Sequence, residues 1–104
     1  MKLVSIDSIP GKEYEVLGLV KGTIVQSKNF GRDFMSGLKT LVGGEIKGYT
    51  EMLNEARQIA TKRMMDEAEG LGADAVVGVR YGSSQVMQGA AEVVAYGTAV
   101  KLIG

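Results

Sequence analysis

Gly43-Gly44-Glu45-Ile46-Lys47-Gly48-Tyr49 opens the stretch that decides the fold, and Gly70-Leu71-Gly72-Ala73-Asp74-Ala75-Val76-Val77-Gly78-Val79-Arg80 closes it. Between the glycine pairs, Tyr49, Leu53, Ala56, Ala60, Met64 and Ala68 recur at steps of three or four, the apolar stripe of a core-facing helix. Glu51, Asn54, Glu55, Gln58, Lys62, Asp66 and Glu69 fall opposite. The spacing predicts a helix over 45–69, roughly 37 Å long at about 1.5 Å per residue. Gly70 is expected as the left-handed residue that ends it. Lys62–Asp66 and Arg63–Glu67 are expected as i, i+4 pairs. The apolar run after the second glycine pair predicts a strand over 75–84.

Upstream, residues 2–6 read as a short strand closed by Ser8-Ile9-Pro10-Gly11, and 14–26 as a long one. Period-two alternation puts Val16, Val20 and Ile24 on one face with Gly18 and Gly22, and Leu17, Leu19 and Val25 on the other. A polar loop at 27–31 leads to a short helix over 32–41 carrying Phe34, Met35, Leu38 and Leu41. After strand 75–84, small and polar residues 85–91 link to a last strand over 92–103. In the first of these, Ala75, Val77, Val79 and Tyr81 oppose Val76, Gly78, Arg80 and Gly82. In the last, Val94, Tyr96, Thr98, Val100 and Leu102 oppose Val93, Ala95, Gly97, Ala99 and Ile103.

This order predicts a single α+β domain over 1–104. A small antiparallel sheet of three to four strands carries a short and a long helix, inserted between strands two and three and packed on one face. The other face would be polar if wet, yet no strand alternates apolar with polar. A second copy of the chain covering that face explains the pattern, and an oligomer is expected.

Composition narrows function. The 104 residues are 45% hydrophobic but only 6% aromatic, so Val, Ile, Leu, Ala and Met build the core. Twelve basic and twelve acidic residues cancel, which argues against a nucleic-acid partner, since that binding rests on a basic surface. Without cysteine there is no disulfide framework. Met1-Lys2-Leu3-Val4 is too short and polar a start for a signal peptide or membrane span, so a cytoplasmic chain with no membrane partner is expected. With no histidine or cysteine, no nucleophile–base pair can be nominated. No cofactor and no enzymatic activity are expected.

Gly43-Gly44-Glu45-x-x-x-Tyr49, Ala56-Arg57 with Ala60, and Arg63-Met64 with Ala68 resemble the signature of the YbjQ-like proteins. So do the run from Gly72 to Arg80 and Ala95-Tyr96-Gly97-Thr98-Ala99-Val100, and the resemblance covers nearly the whole chain. It implies a small α+β protein related in architecture to dodecin subunits. It also implies a ring-shaped homopentamer whose strands cross subunit boundaries, and it carries a heavy-metal-binding label. Soft and borderline metals prefer thiolate and imidazole, and this chain has neither. Met35, Met52, Met64 and Met65 are spaced for core filling. Glu51 and Glu55 in five copies would make a ring of carboxylates for a hard divalent cation, though the plainer reading is a solvated helix face. The chain lacks the tryptophan with which dodecin-type sites stack flavin, so no flavin is expected.

Four residues are candidates for ligand binding or inter-subunit contact. Glu45, Tyr49 and Arg57 line one site or tie the helix to the next subunit. Arg80 stands in an apolar strand, where a buried guanidinium needs a partner. Glu92, Asp74 or Glu67 is expected to supply it, most simply across a subunit boundary. Gly43-Gly44 before the helix, with Lys28 and Arg32 nearby, would suit a small anion, though a tight helix–helix turn with Glu45 near the positive helix start is the plainer reading. The expectation is a non-enzymatic homo-oligomer serving as scaffold or small-ligand binder, with an oxygen-ligand metal protein as the alternative.

Overall fold

The structure, a computed structural model, describes residues 1–27 and 47–103. It comprises β1 (Lys2–Leu3), β2 (Glu13–Ser27), α1 (Lys47–Gly70), β3 (Ala75–Met87) and β4 (Ala90–Ile103). The expected short helix over 32–41 lies outside the described residues. The four strands form one sheet in the order β1-β3-β4-β2. β2 and β3 are both antiparallel to β4, but β1 runs parallel to β3, pairing Lys2 with Ala75 and Leu3 with Val76. The sheet is therefore mixed, not antiparallel as predicted. Parallel neighbours need a long crossover, and everything between β1 and β3 serves as one.

α1 lies across one face. Its stripe of Ala56, Ala60, Met64 and Ala68 is buried with Val20, Val76, Val79, Val93, Ala95 and Ala99. The small residues bring two backbones together. A Cβ added to Gly22 of β2 would land on the Ala60 carbonyl oxygen and the Met64 amide nitrogen, and 2.8 Å from Arg63 Cβ. The helix also grips the outer edge of β2: Arg63 donates to the Thr23 carbonyl at 2.7 Å, and Glu67 accepts from the Lys21 amide at 3.3 Å. These bonds replace the predicted Arg63–Glu67 pair, because main-chain groups of an edge strand lie within reach of both side chains.

The predicted Lys62–Asp66 pair does form, at 2.8 Å on the exposed side. Asp66 holds the Lys62 ammonium above the ordinary lysine value, by its hydrogen bond first and its charge second. Because the folded value is raised, what the pair contributes is present at neutral pH and lost in alkali, as the ammonium deprotonates. Solvent screening keeps that contribution small.

At the helix end the left-handed residue is Gly72 (φ 83°), two positions beyond the expected Gly70. The Ala73 amide donates to the Ala68 carbonyl at 3.1 Å and the Gly72 amide to Glu69 at 3.0 Å, the paired bonds of a Schellman turn. Gly70 stays helical. Gly72→Ala is expected to lower unfolding free energy by about 1 kcal/mol, the cost of a left-handed L-residue, read from urea denaturation.

Two bulges rearrange the faces. The β2–β4 register shifts between Val16 and Gly18, and the β3–β4 register between Val77 and Arg80. Gly18 (φ 137°) and Gly78 (φ 64°) supply conformations that other residues avoid. Leu17 consequently turns towards the helix, and Val79 joins Val76 there, while Ala75 and Val77 remain opposite. The alternation predicted through 75–82 breaks at Gly78. β3 and β4 also run further than predicted, meeting at a Gln88–Gly89 turn where residues 85–91 read as a linker.

A second, smaller cluster occupies the far face. Ala75, Val77 and Val100 are covered there by Val4, Ile9 and Tyr14. Backbone bonds from Val4 to Val76 (3.0 Å), Gly78 to Ile6 (2.8 Å) and Val79 to Val4 (3.0 Å) hold the N-terminal segment along β3. The chain thus covers one end of its own second face. Among the described residues the rest is open, and the radius of gyration is 17.0 Å, against about 13 Å for a compact domain of this size.

Candidate functional site

The open part of the far face, among the described residues, mixes exposed apolar side chains with polar ones. Val16, Leu19 and Val25 of β2 are 62%, 69% and 60% exposed. Register places Leu19 beside Thr98, Thr23 beside Val94 and Val25 beside Glu92. Across the middle runs one polar row, with Lys21 of β2 paired to Tyr96 of β4, and Tyr96 paired in turn to Arg80 of β3. All three are exposed.

Arg80 is therefore not buried, contrary to expectation, because the bulge at Gly78 turns it out to the open face. Its Nη1 donates to the Ser5 carbonyl at 2.7 Å and to the Val79 carbonyl at 3.1 Å. Among the described residues no carboxylate forms an ion pair with it. The three expected partners are not on it: Asp74 accepts from the Leu102 amide at 2.9 Å and pairs with Lys101 at 3.7 Å, Glu67 is at Lys21, and Glu92 lies along β4 beside Ser84. The guanidinium is held by carbonyls, with no ion-pair partner among the described residues.

The other candidates do not converge. Glu45 lies outside the described residues. Tyr49 is half-buried in the first turn of α1. Arg57 is exposed eight residues on, about 12 Å along the axis, and donates to Asn54 Oδ1. Arg80 is on the opposite face of the sheet from both. Periodicity did not single out the pair formed by Thr61 and Tyr81, whose hydroxyls meet at 2.7 Å while Thr61 also donates to the Arg57 carbonyl. Lys21 was missed as well. A lone lysine in an apolar strand was the available signal, but only the pairing register connects it to Tyr96 and Arg80.

Residues 1–103 match the YbjQ family, whose description reads "Putative heavy-metal-binding". The chain belongs to the YbjQ-like family. It is 65% identical to a UPF0145 protein of Clostridium novyi, over 99% of this chain and 100% of that one. A UPF0145 protein of Thermotoga maritima is 61% identical, over 98% and 97%. The fold resembles the crystal structure of a protein of unknown function, of the DUF74 family, from Pediococcus pentosaceus: TM-score 0.66, 18% identity, covering 99% of this chain and 98% of that one.

The metal-binding description of the YbjQ-like family finds little to work with in this member. Among the described residues, no three His, Cys, Asp or Glu side chains are grouped so as to hold an ion. Met52 and Met64 are sealed in the core, as their spacing predicted. Glu51 and Glu55 are exposed on α1. These donors do not fit a soft or heavy metal. Among the described residues, no helix is long and apolar enough to cross a membrane.

Proposed function

We propose that this YbjQ-like chain is the subunit of a non-enzymatic, cytoplasmic homo-oligomer. Five copies form a ring that serves as a scaffold or small-ligand binder. One observation carries the reading: Val16, Leu19 and Val25 are largely exposed on one sheet face, clear of the chain's own helix and N-terminal segment. Burying such side chains fully contributes about 1.5–3 kcal/mol each, and several of them exposed on one sheet face favour a contact with another copy. Native mass spectrometry is expected to give five times the 11.0 kDa of one chain. A single-chain mass across the working concentration range would refute it.

The family description favours a second reading, in which carboxylate and carbonyl oxygens from several copies hold a hard divalent cation. Here Glu51 and Glu55 are the candidates from the described residues. Calorimetric titration of the assembled protein with magnesium, calcium, manganese and zinc separates the two. The scaffold reading expects no saturable heat up to millimolar ion, and a saturable heat lost in Glu51→Gln/Glu55→Gln would favour the metal.

A further inference from the structure

Lys21, Tyr96 and Arg80 cross the open face at one height. Strands about 4.8 Å apart set the two cations about 10 Å from each other, backbone to backbone, with Tyr96 between them. Neither cation has an ion-pair partner among the described residues. Arg80 is also held in place. Its Nη1 donates to the carbonyls of Ser5 and Val79, which fixes the guanidinium. Its Nε and Nη2 edge makes no hydrogen bond among the described residues. That edge is the one that takes two oxygens of a carboxylate or phosphate side by side.

The carboxylates around this row are engaged elsewhere or stand off it. Glu67 and Asp74 are held by the main-chain amides of Lys21 and Leu102. Glu92 shares the face with Tyr96 but lies four residues along β4, about 13 Å away. Asp7 comes nearer. Its Oδ1 is 3.8 Å from where a Cβ on Gly78 would stand, yet it forms no ion pair with Arg80. Where copies meet on this face, Lys21 and Arg80 leave water together with the apolar side chains around them. An unpaired cation in such a contact is strongly unfavourable. A small anion entering with the cations removes that cost, and it then favours the assembly by mass action.

We infer that the contact between copies binds a small oxyanion, a phosphate or carboxylate group, on the Arg80 fork, with the Lys21 ammonium adding attraction along the same row. The inference rests on the homo-oligomer reading and names the ligand class for it. Tyr96, 41% exposed between the two cations, gives the body of an organic anion a flat apolar surface. Anion and assembly are coupled: each binds better in the presence of the other.

Exhaustive dialysis into chloride buffer, followed by sedimentation at constant ionic strength, tests it. Replacing chloride by inorganic phosphate or by succinate is expected to let the assembly persist at about tenfold lower protein concentration, once the anion stands at about ten times its dissociation constant. The larger of the two shifts identifies a phosphoryl or a carboxyl ligand. Arg80→Lys keeps the charge but loses the fork, and is expected to weaken the anion effect about tenfold. Lys21→Gln is expected to weaken it as well. It also guards against misfolding in the other variant, since Arg80 holds the Ser5 carbonyl. Asp7→Asn is expected to strengthen the effect by removing a nearby negative charge. Equal assembly in chloride, phosphate and succinate would overturn the anion site and leave the oligomer standing. A shift unchanged in either Arg80→Lys or Lys21→Gln would also overturn it, by placing the anion elsewhere. Single chains in every buffer would overturn the homo-oligomer reading along with it.

Discussion

Gly22→Ala is expected to destabilise the fold by about 3 kcal/mol, at the upper end of overpacking costs. Two effects oppose each other at this position. An alanine in a strand is ordinarily better than glycine by about 0.5–1 kcal/mol. Here the new methyl would meet the Ala60 carbonyl oxygen, the Met64 amide nitrogen and, at 2.8 Å, Arg63 Cβ. Two of those are main-chain atoms in the middle of a helix and cannot rotate away, so α1 would have to lift from β2. Lifting it loosens Met64 and Val20, both fully buried, and pulls Arg63 and Glu67 off the edge. The clash wins. A total stability of 5–15 kcal/mol leaves limited room for such a loss. Guanidinium denaturation should show the midpoint falling, while Gly70→Ala, in open space within the helix, should raise it slightly. Unchanged stability in Gly22→Ala would mean that the helix does not rest on β2 as described.

The helix is legible in the sequence because it rests on a period. The stripe from Leu53 to Ala68 recurs at helical spacing whatever the tertiary context, and its members are buried or half-buried as read. The bulges are not legible. A glycine in a strand signals a bulge or a close approach equally well: Gly18 and Gly78 are bulges, whereas Gly22 and Gly97 are approaches. Misassigning Gly78 carries directly into the site, because the phase slip there decides whether Arg80 faces the core or the open side. The parallel β1 escapes for a different reason. Two residues carry no periodic signal, and their pairing is set by backbone bonds from Val4 and Ile6, not by side-chain pattern. The helix end was misplaced by two residues because Gly70 and Gly72 look alike in sequence, and only the bonds from Gly72 and Ala73 back to Glu69 and Ala68 separate them.

Leu19→Lys/Val25→Lys is expected to release single chains from the proposed assembly without unfolding them. Both side chains are more than half exposed on the open face and lie outside the buried members of both core clusters. The folded single chain therefore loses little, and surface substitutions of this kind usually change stability by about 0.5 kcal/mol or less. The assembly loses much more, because two ammonium groups per copy would enter an apolar contact without partners. Removing an unpaired charge from water costs several kcal/mol per ion in practice. Repetition around the proposed ring would multiply that penalty. Sedimentation should show the mass falling to that of one chain, with the helical circular dichroism signal unchanged. Glu51→Lys on the exposed side of α1 serves as a control that adds positive charge away from the sheet and should leave the mass intact. If Leu19→Lys/Val25→Lys kept the full assembly mass, the open face would not be where copies meet. The exposed apolar residues of that face would then be left without a partner.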